Sequence, residues 1–354
     1  MKKQLLIAAV AATMGTAAMA DLSINGNGKF EYFSSETGTA AATNKTNTEV
    51  NLGFVGKTGD TSVVLNMEFN THGRTSVTDS DTDTDSDDST AASTNALPNT
   101  DNNTLHIEDM YMTTKVGDIS VKAGNFGAPT SALLGEIDNG GRATNKVILS
   151  TSMGGAKFYM GNAGAPAAGS SSAGQTAINQ NMFAGVTMSV AGMKVQAKKI
   201  DEDTNAFGIS GDMGGVAYRL EQKSDTVANG DITFAQVSGS ANGVALTYAA
   251  VDADVVGKIS EDDSGIFAVS ASGGSTVKGI KQFSASTSLA GNVVTVKSGS
   301  VESGISAGVD LDFMQIKGVR NLASGATAAV TYTDKSATAT TDTETLEIDL
   351  SVKF

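Results

Sequence analysis

The chain has no cysteine and no tryptophan, three prolines, two histidines and only 5% aromatic residues. Each scarcity excludes something. Without cysteine there is neither a disulfide framework nor thiolate chemistry. The two histidines, His72 and His106, stand far apart in sequence, and no His-Glu-x-x-His run occurs. Carboxylates are plentiful, but no pair of them is marked out for acid–base work. The chain therefore reads as a non-enzyme that needs no cofactor. Beyond the N-terminal region no stretch offers the ~20 successive apolar residues of a membrane-spanning helix. The formal net charge of −14 argues against nucleic acid as a partner.

What is present begins with the N-terminus. Lys2 and Lys3 precede an apolar run from Leu5 to Ala12, and Ala18-Met19-Ala20 follows as a small-x-small signature. This pattern is that of a secretory signal peptide over residues 1–20, cleaved after Ala20. The apolar run is too short to cross ~30 Å of hydrocarbon as a helix. An exported chain of this size meets oxidising conditions and still uses no disulfide. Losing Lys2 and Lys3 takes the net charge from −14 to −16. Residues 21–354 read as a single domain, since no linker and no 20–50-residue repeat divides them.

Apolar content is 40%, but it is scattered in a period of two. Leu22, Ile24, Phe30 and Tyr32 share one face of the first strand, against Ser23, Asn25, Asn27, Lys29 and Glu31. Val50, Leu52 and Phe54 alternate with Glu49, Asn51 and Gly53, and Val63, Leu65, Met67 and Phe69 with Asn66, Glu68 and Asn70. The same alternation recurs at 216–221, 309–313 and 326–333. In a strand, successive side chains face opposite sides. Short connectors, such as Lys57-Thr58-Gly59-Asp60, Val116-Gly117-Asp118, Ser152-Met153-Gly154-Gly155 and Ser272-Gly273-Gly274, separate some strands. Longer polar connectors separate others, at 34–47, 71–103, 161–181 and 334–344.

Short turns at one end and long loops at the other are the plan of a transmembrane β-barrel. A soluble sandwich would also alternate. Here, however, the polar face carries ionised residues in strand after strand, and the apolar face lacks a clustered bulky core. An apolar outside and a polar lumen account for both. The expected fold is all-β: an antiparallel up-and-down membrane barrel of about 16 strands, with 18 also within the count. A barrel that wide leaves an aqueous channel.

The last ten residues place Leu346, Ile348, Leu350, Val352 and Phe354 on one face, and the chain ends on the aromatic. This resembles the C-terminal assembly signal of Gram-negative outer-membrane proteins, in which Leu350, Val352 and Phe354 would be read by the barrel-assembly machinery. A second stretch runs from Lys122-Ala123-Gly124-Asn125-Phe126-Gly127-Ala128-Pro129 through Ser131-Ala132-Leu133-Leu134-Gly135-Glu136-Ile137-Asp138-Asn139-Gly140-Gly141-Arg142. It resembles the region of general porins in which strand five leads into an inward-folded loop. With the opening strand, the pattern is most similar to acidic trimeric porins of alphaproteobacterial and marine type.

The resemblance implies a homotrimeric diffusion channel in the outer membrane, in contact with lipid and lipopolysaccharide, passing small hydrophilic solutes and ions. A substrate-specific channel and a surface-structural adhesin are the alternatives. It implies a constriction loop within 124–145, with Glu136 and Asp138 at the narrowest point and Arg142 beside them. Basic wall residues would oppose them, the candidates being Lys29, Lys57, Lys194, Lys198 and Arg219. With no Trp the interfacial aromatic girdles are thin, drawn from Tyr32, Phe54, Phe69, Tyr111, Phe158, Tyr159, Tyr332 and Phe354. The excess of acids predicts a preference for cations that fades as salt rises, because screening shortens to ~3 Å at 1 M.

The run Asp79, Asp81, Asp83, Asp85, Asp87 and Asp88 lies in the long connector 71–103. Asp81, Asp83 and Asp85 copy the first half of a calcium-binding EF-hand loop. Ser86 stands where the loop needs Gly, and Ala92 where it needs Glu. A solvated extracellular loop is the main reading. A weak Ca²⁺ or Mg²⁺ site at Asp81, Asp83 and Asp85 is the alternative.

Overall fold

A computed structural model of the protein describes residues 21–72, 103–127, 133–137, 143–162, 182–226, 230–255, 259, 266–269, 277–303, 310–322, 325–337 and 342–354. These residues form eighteen strands. The first nine are β1 (Asp21–Thr37), β2 (Thr43–Thr58), β3 (Thr61–His72), β4 (Asn103–Val116), β5 (Ile119–Phe126), β6 (Ala143–Met153), β7 (Ala156–Asn162), β8 (Met182–Val190) and β9 (Met193–Lys199). The second nine are β10 (Thr204–Met213), β11 (Val216–Asp225), β12 (Ile232–Ala241), β13 (Val244–Ala253), β14 (Val277–Leu289), β15 (Asn292–Ser303), β16 (Leu311–Asn321), β17 (Ala326–Ala337) and β18 (Thr343–Lys353). Among the described residues no helix is long and apolar enough to cross a membrane.

Each strand pairs antiparallel with the next, and β1 also pairs with β18 from Asn27↔Lys353 to Thr37↔Thr343. The sheet is therefore closed and has no free edge, which satisfies every ladder hydrogen bond internally. The upper of the two expected strand numbers is the one formed.

One end carries two-residue turns at 59–60, 117–118, 154–155, 191–192, 214–215, 242–243 and 290–291. Ala191, Asn242 and Ala290 adopt positive φ there, each followed by a glycine that does the same. That is the backbone a tight hairpin of right-twisted strands requires. The four-residue connection 322–325 lies at this end too, and the remaining connections, most of them longer, lie at the other. Strands run further into two of them than the residue pattern implied: β1 and β2 leave only 38–42 between them, and β17 and β18 only 338–342.

Period-two alternation sorts the side chains as expected for a barrel in lipid, except at the start of β16, where Leu311 and Phe313 face inward and Asp312 outward. Ile24, Phe30, Met110, Leu149, Phe158, Phe207, Leu220, Tyr248, Phe283, Ile316 and Ile348 are exposed on the outer face. The interior departs from expectation. It holds an apolar cluster of Ile232, Phe234, Ala249, Val251, Ile280 and Phe313 from the walls, with Leu134, Ile137, Ile259 and Val269 from connections. Phe234 is wholly buried. The lumen is thus part aqueous and part packed core.

Candidate pore and the segments folded into it

The connection between β5 and β6 turns inward, as the sequence implied, between Phe126 and Ala143. Asp109 on β4 accepts the backbone N–H of Gly127 at 3.2 Å, holding the start of the segment to the wall. At 133–137 the chain lies against β10 and β11. Leu134 and Ile137 are each 1% exposed. A Cβ built on Gly208 of β10 would lie 2.9 Å from Leu133 Cγ and from Leu134 Cδ2. Gly208 therefore supplies the floor on which these two leucines rest.

Three charged groups lock this contact. Arg219 on β11 donates to Glu136 Oε1 from Nη1 at 3.0 Å, and its Nη2 is ion-paired with Glu221. The backbone N–H of Glu136 donates to Glu221 Oε2 at 3.1 Å. The Arg219 guanidinium also stands over the Phe234 ring, 5.2 Å from its centroid. Both carboxylates are buried. Charges taken out of water hold only when paired, and here both carboxylates pair with the one guanidinium, whose Nε is left without a hydrogen-bond partner among the described residues. Glu136 is thus tied into the lock, where one guanidinium serves two carboxylates, and is buried away from the open lumen. Of the expected basic wall, Arg219 touches Glu136. Asp138 and Arg142 lie outside the described residues.

A second inward segment was missed in the sequence. The connection from β13 to β14 spans 254–276, and residues 266–269 fold onto the inner wall; the short connector expected at Ser272-Gly273-Gly274 lies outside the described residues. Gln282 on β14 accepts the N–H of Ala268 at 2.7 Å and donates to the carbonyl of Ile266 at 2.6 Å. Lys297 on β15 donates to the same carbonyl at 3.0 Å. Gln315 on β16 donates to Ala268 O at 3.4 Å and to Thr333 at 3.0 Å. Phe267 meets Phe234 edge to face, with ring centroids 6.3 Å apart. The only signal was the run Ile266-Phe267-Ala268-Val269, too short for a membrane strand and out of place in a polar loop.

The two segments fill the side of the lumen bounded by β10–β16. The rest of the wall carries charge in two arcs. Glu347 and Asp349 on β18, Glu31 on β1, Glu49 on β2, Glu68 on β3 and Asp109 on β4 share the inner register. Glu31, Glu347 and Asp349 bring carboxylate oxygens within 4.8 Å of one another. Lys29 lies among them, paired with Glu31 and 4.0 Å from Asp349. The second arc carries Lys122 on β5, Lys146 on β6, Lys157 on β7, and Lys194 and Lys198 on β9. No acidic residue occurs anywhere in β5 to β9.

Charge on the wall is thus separated by sign into two arcs. The five expected basic residues all share the inner register, but they do different things. Lys29 sits within the acidic arc, Lys57 near the short-turn rim, Lys194 and Lys198 in the basic arc, and Arg219 in the lock. The sequence reading placed Tyr111 and Tyr159 among the girdle aromatics; both face inward instead. Tyr159 accepts from Gln196 Nε2 at 2.6 Å. The girdle candidates Tyr32, Phe54, Phe69, Phe158, Tyr332 and Phe354 do lie on the outer register. Residues 1–20 and the Asp-rich run with Asp81, Asp83 and Asp85 lie outside the described residues.

No protein-family model and no curated protein sequence matches this chain. Solved structures do. The outer membrane protein OpdK of Pseudomonas aeruginosa aligns with a TM-score of 0.59 over 94% of this chain and 98% of its own, at 10% identity. The likeness is one of fold. OccK9 (OpdG) of the same organism aligns with a TM-score of 0.63, covering 94% and 99%, at 12% identity. OccK2 (OpdF), solved in complex with glucuronate, gives 0.59 over 94% and 97%, at 12% identity. All three share the membrane-barrel architecture derived above.

Proposed function

We propose that the protein is an outer-membrane channel that selects small anionic solutes, with its short turns facing the periplasm. The observation that carries this reading is the arc of lysines on β5–β9, free of acidic residues, beside a lumen narrowed by two inward segments. A wall of one charge sign in a constricted passage raises the local concentration of the opposite sign and binds it weakly enough to release it. The acidic arc on β18–β4 borders the same passage, so a solute between the arcs experiences a transverse field.

A selective channel suits these features better than the open cation-preferring pore expected from net charge. The −14 total counts the carboxylates of the connections, including the Asp-rich run, together with those of the strands. That a barrel of this fold has been solved with glucuronate is in keeping with an anionic solute. The homotrimer, contact with lipopolysaccharide and use of the assembly machinery belong to the same proposal. Purified protein in a planar bilayer tests it. Glucuronate added to KCl should reduce the single-channel current saturably. Current that stays proportional to salt alone, with no saturation, returns the protein to the class of unselective diffusion pores.

A further inference from the structure

We infer that the inner wall of β4–β7, near the short-turn end, carries a subsite for an oxyanion head group. This rests on the channel reading and names a place where a passing anion pauses, away from the lock around Glu136. The strand register builds it. Ser120 pairs with Ser150, and Ser150 with Tyr159, so two serine hydroxyls stand side by side across β5 and β6 with the Tyr159 side chain next in the row, its own hydroxyl turned to Gln196. One row further from the short turns, Lys122 lies between Thr113 and Ile148. One row nearer the turns, Lys157 follows the same inward face. These side chains, with Phe126, line a pocket of about 200 Å³.

The two lysines are held differently. The Lys122 ammonium sits 3.9 Å from the Tyr111 ring centroid and 4.0 Å from that of Phe126. The two rings meet edge to face at 5.6 Å. Ring faces stabilise the cation without neutralising it. Lys157 is exposed to the lumen. Neither forms a salt bridge among the described residues. Asp109, on the adjoining strand, is engaged by Asn66 at 2.8 Å and by the N–H of Gly127.

Ammonium groups above and below a row of hydroxyl donors, with no acidic residue on β5–β7, match an oxyanion that takes several hydrogen bonds at once. The pocket is smaller than the ~300–1,000 Å³ of sites for drug-sized ligands. Its occupant is therefore inorganic phosphate, a small phosphate monoester, or the carboxylate end of a short organic acid.

The test uses the full-length protein in a planar bilayer at fixed KCl, with sodium phosphate or sodium acetate added on the short-turn side. Phosphate should lower the chloride current saturably. Lys122→Gln with Lys157→Gln should raise the half-blocking concentration at least about fivefold, the loss expected for two monovalent attractions at pore distances. Ser120→Ala with Ser150→Ala should raise it less. Lys281→Gln, on the outer face, should leave it unchanged. Block by phosphate alone assigns the site to tetrahedral oxyanions, and equal block by acetate assigns it to oxyanions in general; both support it. A conducting channel that neither anion blocks, or a double glutamine variant that folds to the heat-modifiable form and is blocked like wild type, overturns the subsite alone. A protein that opens no channel overturns the channel reading as well.

Discussion

The ring of Phe354 lies over Gly26. The two residues also exchange both backbone hydrogen bonds, Gly26 N–H to Phe354 O and Phe354 N–H to Gly26 O, each 3.0 Å. A Cβ at Gly26 would stand 2.7 Å from Phe354 Cε2 and 2.7 Å from the carbonyl of Asn51. The last residue of the chain thus completes the ladder between β18 and β1 and covers a position that has no side chain of its own. Deleting Phe354, or changing it to Asp, should abolish the heat-modifiable barrel in the outer membrane. Gly26→Val should do so partly, because it displaces the ring while the terminal backbone remains. Normal barrel levels in the Phe354 variants would refute the closure argument.

Arg219→Met should release the segment at 133–137. It leaves Glu136 and Glu221 facing each other without a cation, and breaking a buried pair from one side costs about 3–5 kcal/mol. The expected result is a larger and noisier single-channel current. Gly208→Val should produce the same phenotype by a different route, since its side chain would occupy the space of Leu133 and Leu134. Quiet, wild-type current in both variants would mean that the segment is held elsewhere.

Gln282→Leu should loosen the second inward segment. The N–H of Ala268 loses its partner, and a buried amide left unpaired costs about 1–3 kcal/mol. Hydrogen–deuterium exchange over 266–269 should accelerate, while exchange within β14 itself stays slow. Unchanged protection at Ala268 would count against the assigned bond.

The charged arcs make opposite predictions for ion preference. Lys146→Gln, Lys194→Gln and Lys198→Gln together should move the zero-current potential in a KCl gradient toward cations. Glu31→Gln, Glu347→Gln and Asp349→Asn together should move it toward anions. Both shifts should shrink in concentrated KCl as the screening length falls to ~3 Å at 1 M. Shifts of the same sign from both sets would contradict the separation of the arcs.

Outside the membrane, the turn from β9 to β10 has a pH-dependent hold. Burial raises the Asp201 carboxyl, but hydrogen bonds from Asp203 N–H at 2.9 Å and Thr204 N–H at 2.7 Å outweigh it and keep it below the ordinary aspartate range. A depressed carboxyl stabilises fully above its unfolded value of about 3.9 and loses that contribution as pH falls through the folded one. Amide exchange at Thr204, corrected for the intrinsic pH effect, should therefore rise only in strong acid. Asp201→Asn should raise it at neutral pH. A neutral-pH rate equal to wild type in that variant would remove the capping role.

The period-two alternation specified the barrel, because a one-residue slip would have turned every apolar side chain into the lumen. Two-residue turns, the C-terminal aromatic and the strand leading into an inward loop were equally legible, since each depends on neighbours close in sequence or on the chain end. Strand number was legible only within a range, because β7 and β9 are seven residues long and offer few alternations. What the sequence alone did not decide was the interior. Glu136 meets Arg219 and Glu221 across more than eighty positions, and Ile266 and Phe267 meet Gln282, Lys297 and Phe234 from three different strands. Tyr111 and Tyr159 have the composition of girdle residues, and only the closed register turns them inward. The segregation of Lys122, Lys146, Lys157, Lys194 and Lys198 from Glu31, Glu347 and Asp349 likewise exists only once β1 is joined to β18. Charge summed along a chain has no direction; rolling the sheet into a cylinder gives it one, and that is why net charge alone did not reveal an acidic arc and a lysine arc on the same wall.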